Sequence, residues 1–199
     1  MSWLPKVIDL TCFNSVSEKV GFLYQVFEND LKNKENPLLF DGREVKVHPN
    51  ALSNKCLSFL ETNTTCDNEY QCATCPYILY EDIFNHITTK QNKKLSADFR
   101  TPGIFSEERA IRINWIRPII ENVNSSSDVL YYQTITKSQL KHCFWLKKEK
   151  YLVILVENNK GDLYLNTAYY LYDRKMTSRI RLEYKKYCSK NVKKTPFTK

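Results

Sequence analysis

Four consecutive stretches of the C-terminal half, 129–135, 142–147, 151–157 and 163–172, are rich in Tyr, Val, Leu, Ile, Phe and Trp. They are separated by gaps of only a few residues. β-branched and aromatic residues favour a pleated, half-buried surface. Gaps this short leave no room for crossover helices, so neighbouring strands must run antiparallel. The connector Asn158-Asn159-Lys160-Gly161-Asp162 carries the residue types of a tight hairpin. An antiparallel meander is therefore the least avoidable element of any fold this chain adopts.

Helical signals come before the meander. Val20, Leu23, Tyr24, Phe27 and Leu31 recur at helical spacing within 15–35, and Ser15 or Ser17 can cap that helix. Asp41-Gly42 signals a hairpin turn, and Glu44–Val47 alternates as a strand. The segment 78–89 is expected to end in a strand containing His86. Ser106, followed by Glu107 and Glu108, starts a second helix reaching about Trp115, which Pro118 ends, kinks or restarts. Arg174–Tyr187 reads as a closing helix. Helices first and a meander after make an α+β fold: N-terminal helices, a twisted antiparallel sheet of about four strands, and a basic C-terminal helix. The expected organisation is an N-terminal helical segment (1–77) with a cysteine-rich insert, an α+β domain (78–190) and a basic tail (191–199).

The chain of 199 residues has a formal net charge of +8. Ten of its lysines and arginines fall within 174–199, where Glu183 is the sole acid. Such a balance favours a polyanionic partner, or else a solvated basic helix. No apolar run is long enough to span a membrane, and the start lacks the layout of a signal peptide. A cytoplasmic location with reduced thiols is expected, without a membrane partner.

Cys56, Cys66, Cys72 and Cys75 stand within 20 residues, spaced C-x9-C-x5-C-x2-C. Four thiolates suit a structural, tetrahedral Zn²⁺ with no open position for catalysis. Only the last pair has the usual knuckle spacing, so ordinary thiols, or an iron–sulfur or redox pair, are the alternatives. Cys12, Cys143 and Cys188 are scattered and read as core or surface residues.

A second set of residues is chemically suggestive. His86 carries the side chain best suited to proton transfer near neutral pH. Arg109 and Arg112 are three apart on one helix face, a spacing that suits a shared anion partner or, equally, a solvated face. Arg100, Arg117, Lys147 and Lys148 are further candidate phosphate contacts, as are Arg174, Arg179 and Arg181 of the closing helix. In a regular last strand Leu163, Leu165, Thr167, Tyr169 and Leu171 share one face. No phosphate-binding glycine loop, zinc-protease motif, serine-hydrolase elbow or paired-carboxylate motif is present.

The order Phe84-Asn85-His86, then Arg109-x-x-Arg112-x-x-Trp115-Ile116-Arg117-Pro118-Ile119-Ile120-Glu121, then Thr167-Ala168-Tyr169, with a basic helix around Arg181 and Tyr184, resembles a known family. It is the phage- and mobile-element-associated family of the barnase/EndoU/colicin/RelE-like nuclease superfamily. The resemblance covers about residues 80–187. It implies helices packed on a four-stranded antiparallel sheet and metal-independent cleavage of RNA by a toxin or effector. The superfamily exchanges its catalytic residues, so the roles are expected from the side chains themselves: His86 takes the proton of the ribose 2′-OH as it attacks the adjacent phosphate. Arg109 and Arg112 stabilise the charge that develops, and Thr167 or Tyr169 orients the phosphate or helps protonate the leaving oxygen. The expected partners are RNA, with tRNA among the candidates, and a cognate antitoxin or immunity protein. The alternative is a non-catalytic nucleic-acid-binding or protein-interaction module of a phage or defence system.

Overall fold

The computed structural model describes residues 2–48, 82–90, 104–136 and 138–192. Cys56, Cys66, Cys72, Cys75 and Arg100 lie outside the described residues, and with them the zinc expectation.

Helix α1 (Val16–Leu31) starts at a complete capping box. The Glu18 N–H donates to Ser15 Oγ (3.2 Å), and the Ser15 N–H returns a bond to Glu18 Oε2 (3.2 Å). Its stripe Val20, Leu23, Phe27 and Leu31 is buried. Strands β1 (Leu39–Phe40) and β2 (Arg43–Lys46) follow as a hairpin. Asp41 and Gly42 both take positive φ (53° and 71°), the backbone that a two-residue turn between right-twisted strands requires.

Helix α2 (Asp82–Thr88) carries His86, correcting the expectation of a strand there. Ile83, Phe84 and Ile87 fall on one side of this short helix and are buried, a pattern that a short apolar run leaves ambiguous in sequence. The hydroxyls of Thr88 and Thr89 donate back to the Phe84 and Asn85 carbonyls (2.9 and 2.6 Å). Strands β3 (Thr89–Lys90) and β4 (Ile104–Phe105) form a separate two-residue pair.

In place of one helix reaching about Trp115, the segment 107–121 forms three pieces. They are α3 (Glu107–Ala110), a 3₁₀ turn (Ile113–Trp115) and α4 (Ile116–Glu121). Pro118 accounts for the separate start of α4. Its ring would clash with the carbonyl of Asn114 in a continuous helix, whereas in the first turn of α4 its missing N–H costs nothing. Ser106 occupies the N-cap position of α3 without a side-chain cap bond.

The meander consists of β5 (Val129–Thr136), β6 (Gln139–Leu146), β7 (Tyr151–Glu157) and β8 (Leu163–Tyr170). Helix α5 (Arg174–Val192) closes the chain. The main sheet has six strands rather than four, in the order β1-β2-β8-β7-β6-β5. The N-terminal hairpin supplies the extra two, and β2 runs parallel to β8 through Val45↔Leu163 and Lys46↔Tyr164. The class is α+β with a mixed sheet. The N-terminal residues do not stand apart: α1 and the hairpin contribute to the same core as the meander.

Two apolar layers flank the sheet. On one face α1, α2, the 3₁₀ turn and α4 pack against Phe144, Leu146, Tyr151, Val153, Leu155, Leu163, Leu165 and Ala168. On the other, α5 lays Met176, Ile180, Tyr184 and Tyr187 over Tyr132, Cys143, Trp145 and Leu152. Between Leu155↔Leu165 and Ile154↔Thr167 the register shifts, leaving Asn166 as an extra, exposed residue. This bulge exchanges the faces of β8. Leu163 and Leu165 face the helical layer, but beyond the bulge Ala168 and Tyr170 do. Thr167 and Tyr169 turn toward α5, so the expectation that they share a face with Leu163 and Leu165 is corrected.

Candidate nucleic-acid interface and polar clusters

Asp173 caps α5, accepting the Lys175 N–H on its carboxylate (2.8 Å) and the Thr177 N–H on its carbonyl (3.0 Å). Because Met176, Ile180, Tyr184 and Tyr187 must meet the sheet, the remaining positions face outward. Arg174, Lys175, Arg179, Arg181, Lys185, Lys186 and Lys190 are all exposed. Glu183, the helix's sole acid, is half-buried. It accepts the Tyr132 hydroxyl (3.4 Å) and lies 3.8 Å from Arg179 Nε. Seven cations thus share one surface with one acid that is turned partly inward. Lys175, Arg179, Lys186 and Lys190 form a stripe along the helix, spaced by about one to two turns.

The β6–β7 turn adds to this surface at the start of α5. The Leu171 N–H donates to the Lys150 carbonyl (2.6 Å), placing the turn beside the β8–α5 junction. Lys147, Lys148 and Lys150 are exposed there, with Lys148 paired to Asp128 at 3.0 Å.

On the opposite face Arg109 reaches the His86 backbone, whereas Arg112 lies over Trp115 and Tyr170, and much of the donor capacity of both arginines is used internally. Arg109 Nη1 donates to the Thr89 carbonyl (2.6 Å) and Nη2 to the His86 carbonyl (2.9 Å), satisfying the C-terminal end of α2. Arg112 Nη1 donates to the Glu108 carbonyl. Its guanidinium stacks 4.4 Å from the Tyr170 ring centre and 5.2 Å from that of Trp115. The His86 ring touches solvent but is flanked by protein on its inner side. That partial loss of hydration, and secondarily the charge of Arg109, hold its pKa below the ordinary histidine value.

The other sequence candidates separate from this cluster. Thr167 is buried under α5 with no partner for its hydroxyl. Tyr169 packs in the same layer, and burial raises its pKa against the opposing charges of Arg179 and Arg109. Arg117 is a structural residue. Its side chain is only 14% exposed, Nη1 donates to the carbonyls of Asp30 (2.9 Å) and Asn36 (3.0 Å), and Nε pairs with Glu121 (2.8 Å).

One network had no sequence signal, because its members meet only through strand pairing. The Tyr131 hydroxyl and His142 Nδ1 are 2.8 Å apart, and His142 Nε2 is 3.1 Å from Glu157 Oε2. Arg43 Nη1 donates to the same Glu157 oxygen (2.9 Å) and to the Gly161 carbonyl (3.1 Å). Burial works to raise the Glu157 pKa, but the bonds from Arg43 and His142 outweigh it and hold the carboxyl below its usual range. Burial also pushes Tyr131 up to about 12. The network ties the N-terminal hairpin to the meander.

Among the described residues no helix is long and apolar enough to cross a membrane, and no group of three or more His, Cys, Asp or Glu is placed to hold a metal ion. No protein-family model, curated protein or solved structure matches this chain.

Proposed function

We propose that this protein binds nucleic acid, with RNA as the leading candidate, through the outward face of α5 and the lysines of the adjoining β6–β7 turn. The observation that carries this reading is the charge distribution of α5. Seven exposed cations lie on a helix fixed to the sheet by its apolar stripe, and its one acid is half-buried. Cations held on a rigid element displace counterions from a phosphate backbone, giving affinity that falls steeply with salt. Fluorescence anisotropy with a labelled single-stranded RNA tests the idea. Tight binding at low salt that weakens log-linearly as salt rises supports it. Binding indifferent to salt, or absent at low salt, refutes it.

A second reading is metal-independent RNA cleavage by a toxin or effector. One observation favours it: the solvent-touching His86 ring is biased toward its neutral, proton-accepting form and lies beside Arg109. In that reading His86 is the base for the 2′-OH, and Arg109 and Arg112 stabilise the developing charge. The product is a 2′,3′-cyclic phosphate, and a cognate antitoxin is the natural protein partner. Thr167 and Tyr169 turn toward α5, so a donor to the leaving oxygen has to come from elsewhere. Incubation with total RNA in EDTA, beside His86→Ala, separates the two readings. Cleavage that disappears with the imidazole supports catalysis, and binding without cleavage supports the module.

A further inference from the structure

Tyr151 begins β7 with 0% of its surface exposed, and its hydroxyl has no hydrogen-bond partner. It pairs directly across the sheet with Tyr170, whose ring carries the Arg112 guanidinium, and its own ring lies 5.6 Å from Trp115, the second ring under Arg112. The Nε atoms of Arg109 and Arg112 are likewise buried without partners. Tyr151 is in electrostatic reach of both guanidiniums. Three donors in one cluster therefore lack an acceptor, and two of them belong to permanent cations. Among the described residues neither arginine has a carboxylate partner. Glu107, two residues before Arg109, is committed to Lys19 at 2.8 Å. Unpaired buried donors cost free energy, and unpaired charge costs more. A neutral water would fill the hydrogen bonds but leave the charge uncompensated.

We propose that Tyr151 Oη, Arg109 Nε and Arg112 Nε form an enclosed seat for one tetrahedral oxyanion, a phosphate group. Two permanent cations and three donors are matched better by a phosphate group, with its charge of about −2 and several strong acceptor oxygens, than by a singly charged carboxylate. The paired Nη edge of Arg109 is already given to backbone carbonyls. The Tyr151 hydroxyl adds a donor that gives the seat a preference for anions. The seat is on the sheet face opposite α5, and it requires neither the α5 interface nor a catalytic His86.

The test is binding of inorganic phosphate to the full chain, read by thermal unfolding and by ³¹P NMR line broadening. Chloride and acetate at matched ionic strength serve as controls. Phosphate should raise Tm saturably where chloride and acetate do not. Tyr151→Phe should weaken phosphate binding by about tenfold or more, the loss expected for one hydrogen bond to a charged group. Without phosphate, the same variant should unfold at or above the wild-type temperature, because it deletes an unpaired buried hydroxyl. Arg112→Lys, which keeps the charge but removes Nε, should lose the response as well. A combined Arg179→Gln, Lys186→Gln and Lys190→Gln protein should keep it, locating the phosphate away from α5. An absent phosphate response, an equal response to acetate, or an undiminished response in both Tyr151→Phe and Arg112→Lys would each overturn the proposal. So would loss of the response in the α5 variant.

Discussion

Replacing Arg117 by alanine separates a structural guanidinium from a phosphate-binding one. Arg117 stitches the end of α1 and the loop after it to α4, through the Asp30 and Asn36 carbonyls. Hydrogen bonds from a charged donor contribute about 1.5–3 kcal/mol each, but both of these share one nitrogen and one acceptor is near solvent. The ion pair with Glu121, itself 44% exposed, adds close to nothing. The expected loss is about 2–3 kcal/mol, or a Tm lowered by roughly 5–10 °C for a chain of this size. The half-buried Asp30 carboxyl sharpens the expectation. Burial raises its pKa and Arg117 opposes that rise, so the alanine variant lifts it further. An acid whose folded pKa is raised withdraws stability as pH climbs from its unfolded value toward its folded one. The deficit should therefore be larger at pH 7 than at pH 4. Urea unfolding at both pH values measures it, and RNA anisotropy well below the transition should show an affinity within about twofold of wild type. A variant as stable as wild type but weakened in RNA binding would show that this guanidinium faces phosphate and that its place in the fold has been misjudged.

Three further outcomes follow from the same structure. Glutamine at Lys175, Arg179, Lys186 and Lys190, singly and together, should lower the magnitude of the salt slope for single-stranded RNA by roughly 0.7 for each phosphate left without its cation; an unchanged slope in the fourfold variant would argue against RNA lying on this stripe. His86 has its folded pKa depressed, so the unfolded chain takes up its proton first as pH falls below about 6.5, and stability drops between that value and the folded pKa. His86→Gln should flatten that part of a Tm-versus-pH curve, and an identical curve would count against the shift. Gly42→Ala should cost about 1 kcal/mol because φ there is +71° although nothing crowds the added Cβ; chemical denaturation showing no loss would mean the turn is not left-handed.

Local chemistry explains which parts of this fold can be read from the chain. Ser15 with Glu18, Asp41-Gly42 and Asn158 with Gly161 each encode their structure within a few residues. In the last of these the Lys160 and Asp162 N–H groups both donate to Asn158 Oδ1 (2.9 Å each). The four meander strands were legible for the same reason. What escaped were long-range or single-residue events. The parallel docking of β2 on β8 joins segments more than a hundred residues apart. The bulge at Asn166 leaves composition untouched yet reverses the faces of Thr167 and Tyr169. His86 was legible as a side chain with a neighbouring arginine but not as a helical residue, since Ile83, Phe84 and Ile87 fit either period. Arg117 looks like any surface cation until the carbonyls of Asp30 and Asn36 are placed beside it.

The most direct test of the nucleic-acid reading is an NMR footprint. Amide and side-chain signals of the ¹⁵N-labelled protein are followed while a short single-stranded RNA is added at low salt. Saturable shifts should centre on Lys175, Arg179, Arg181, Lys185, Lys186 and Lys190, extend to Lys147 and Lys150, and spare the interior Arg117. Shifts confined to other surfaces, or a spectrum unmoved by excess RNA, would contradict the account.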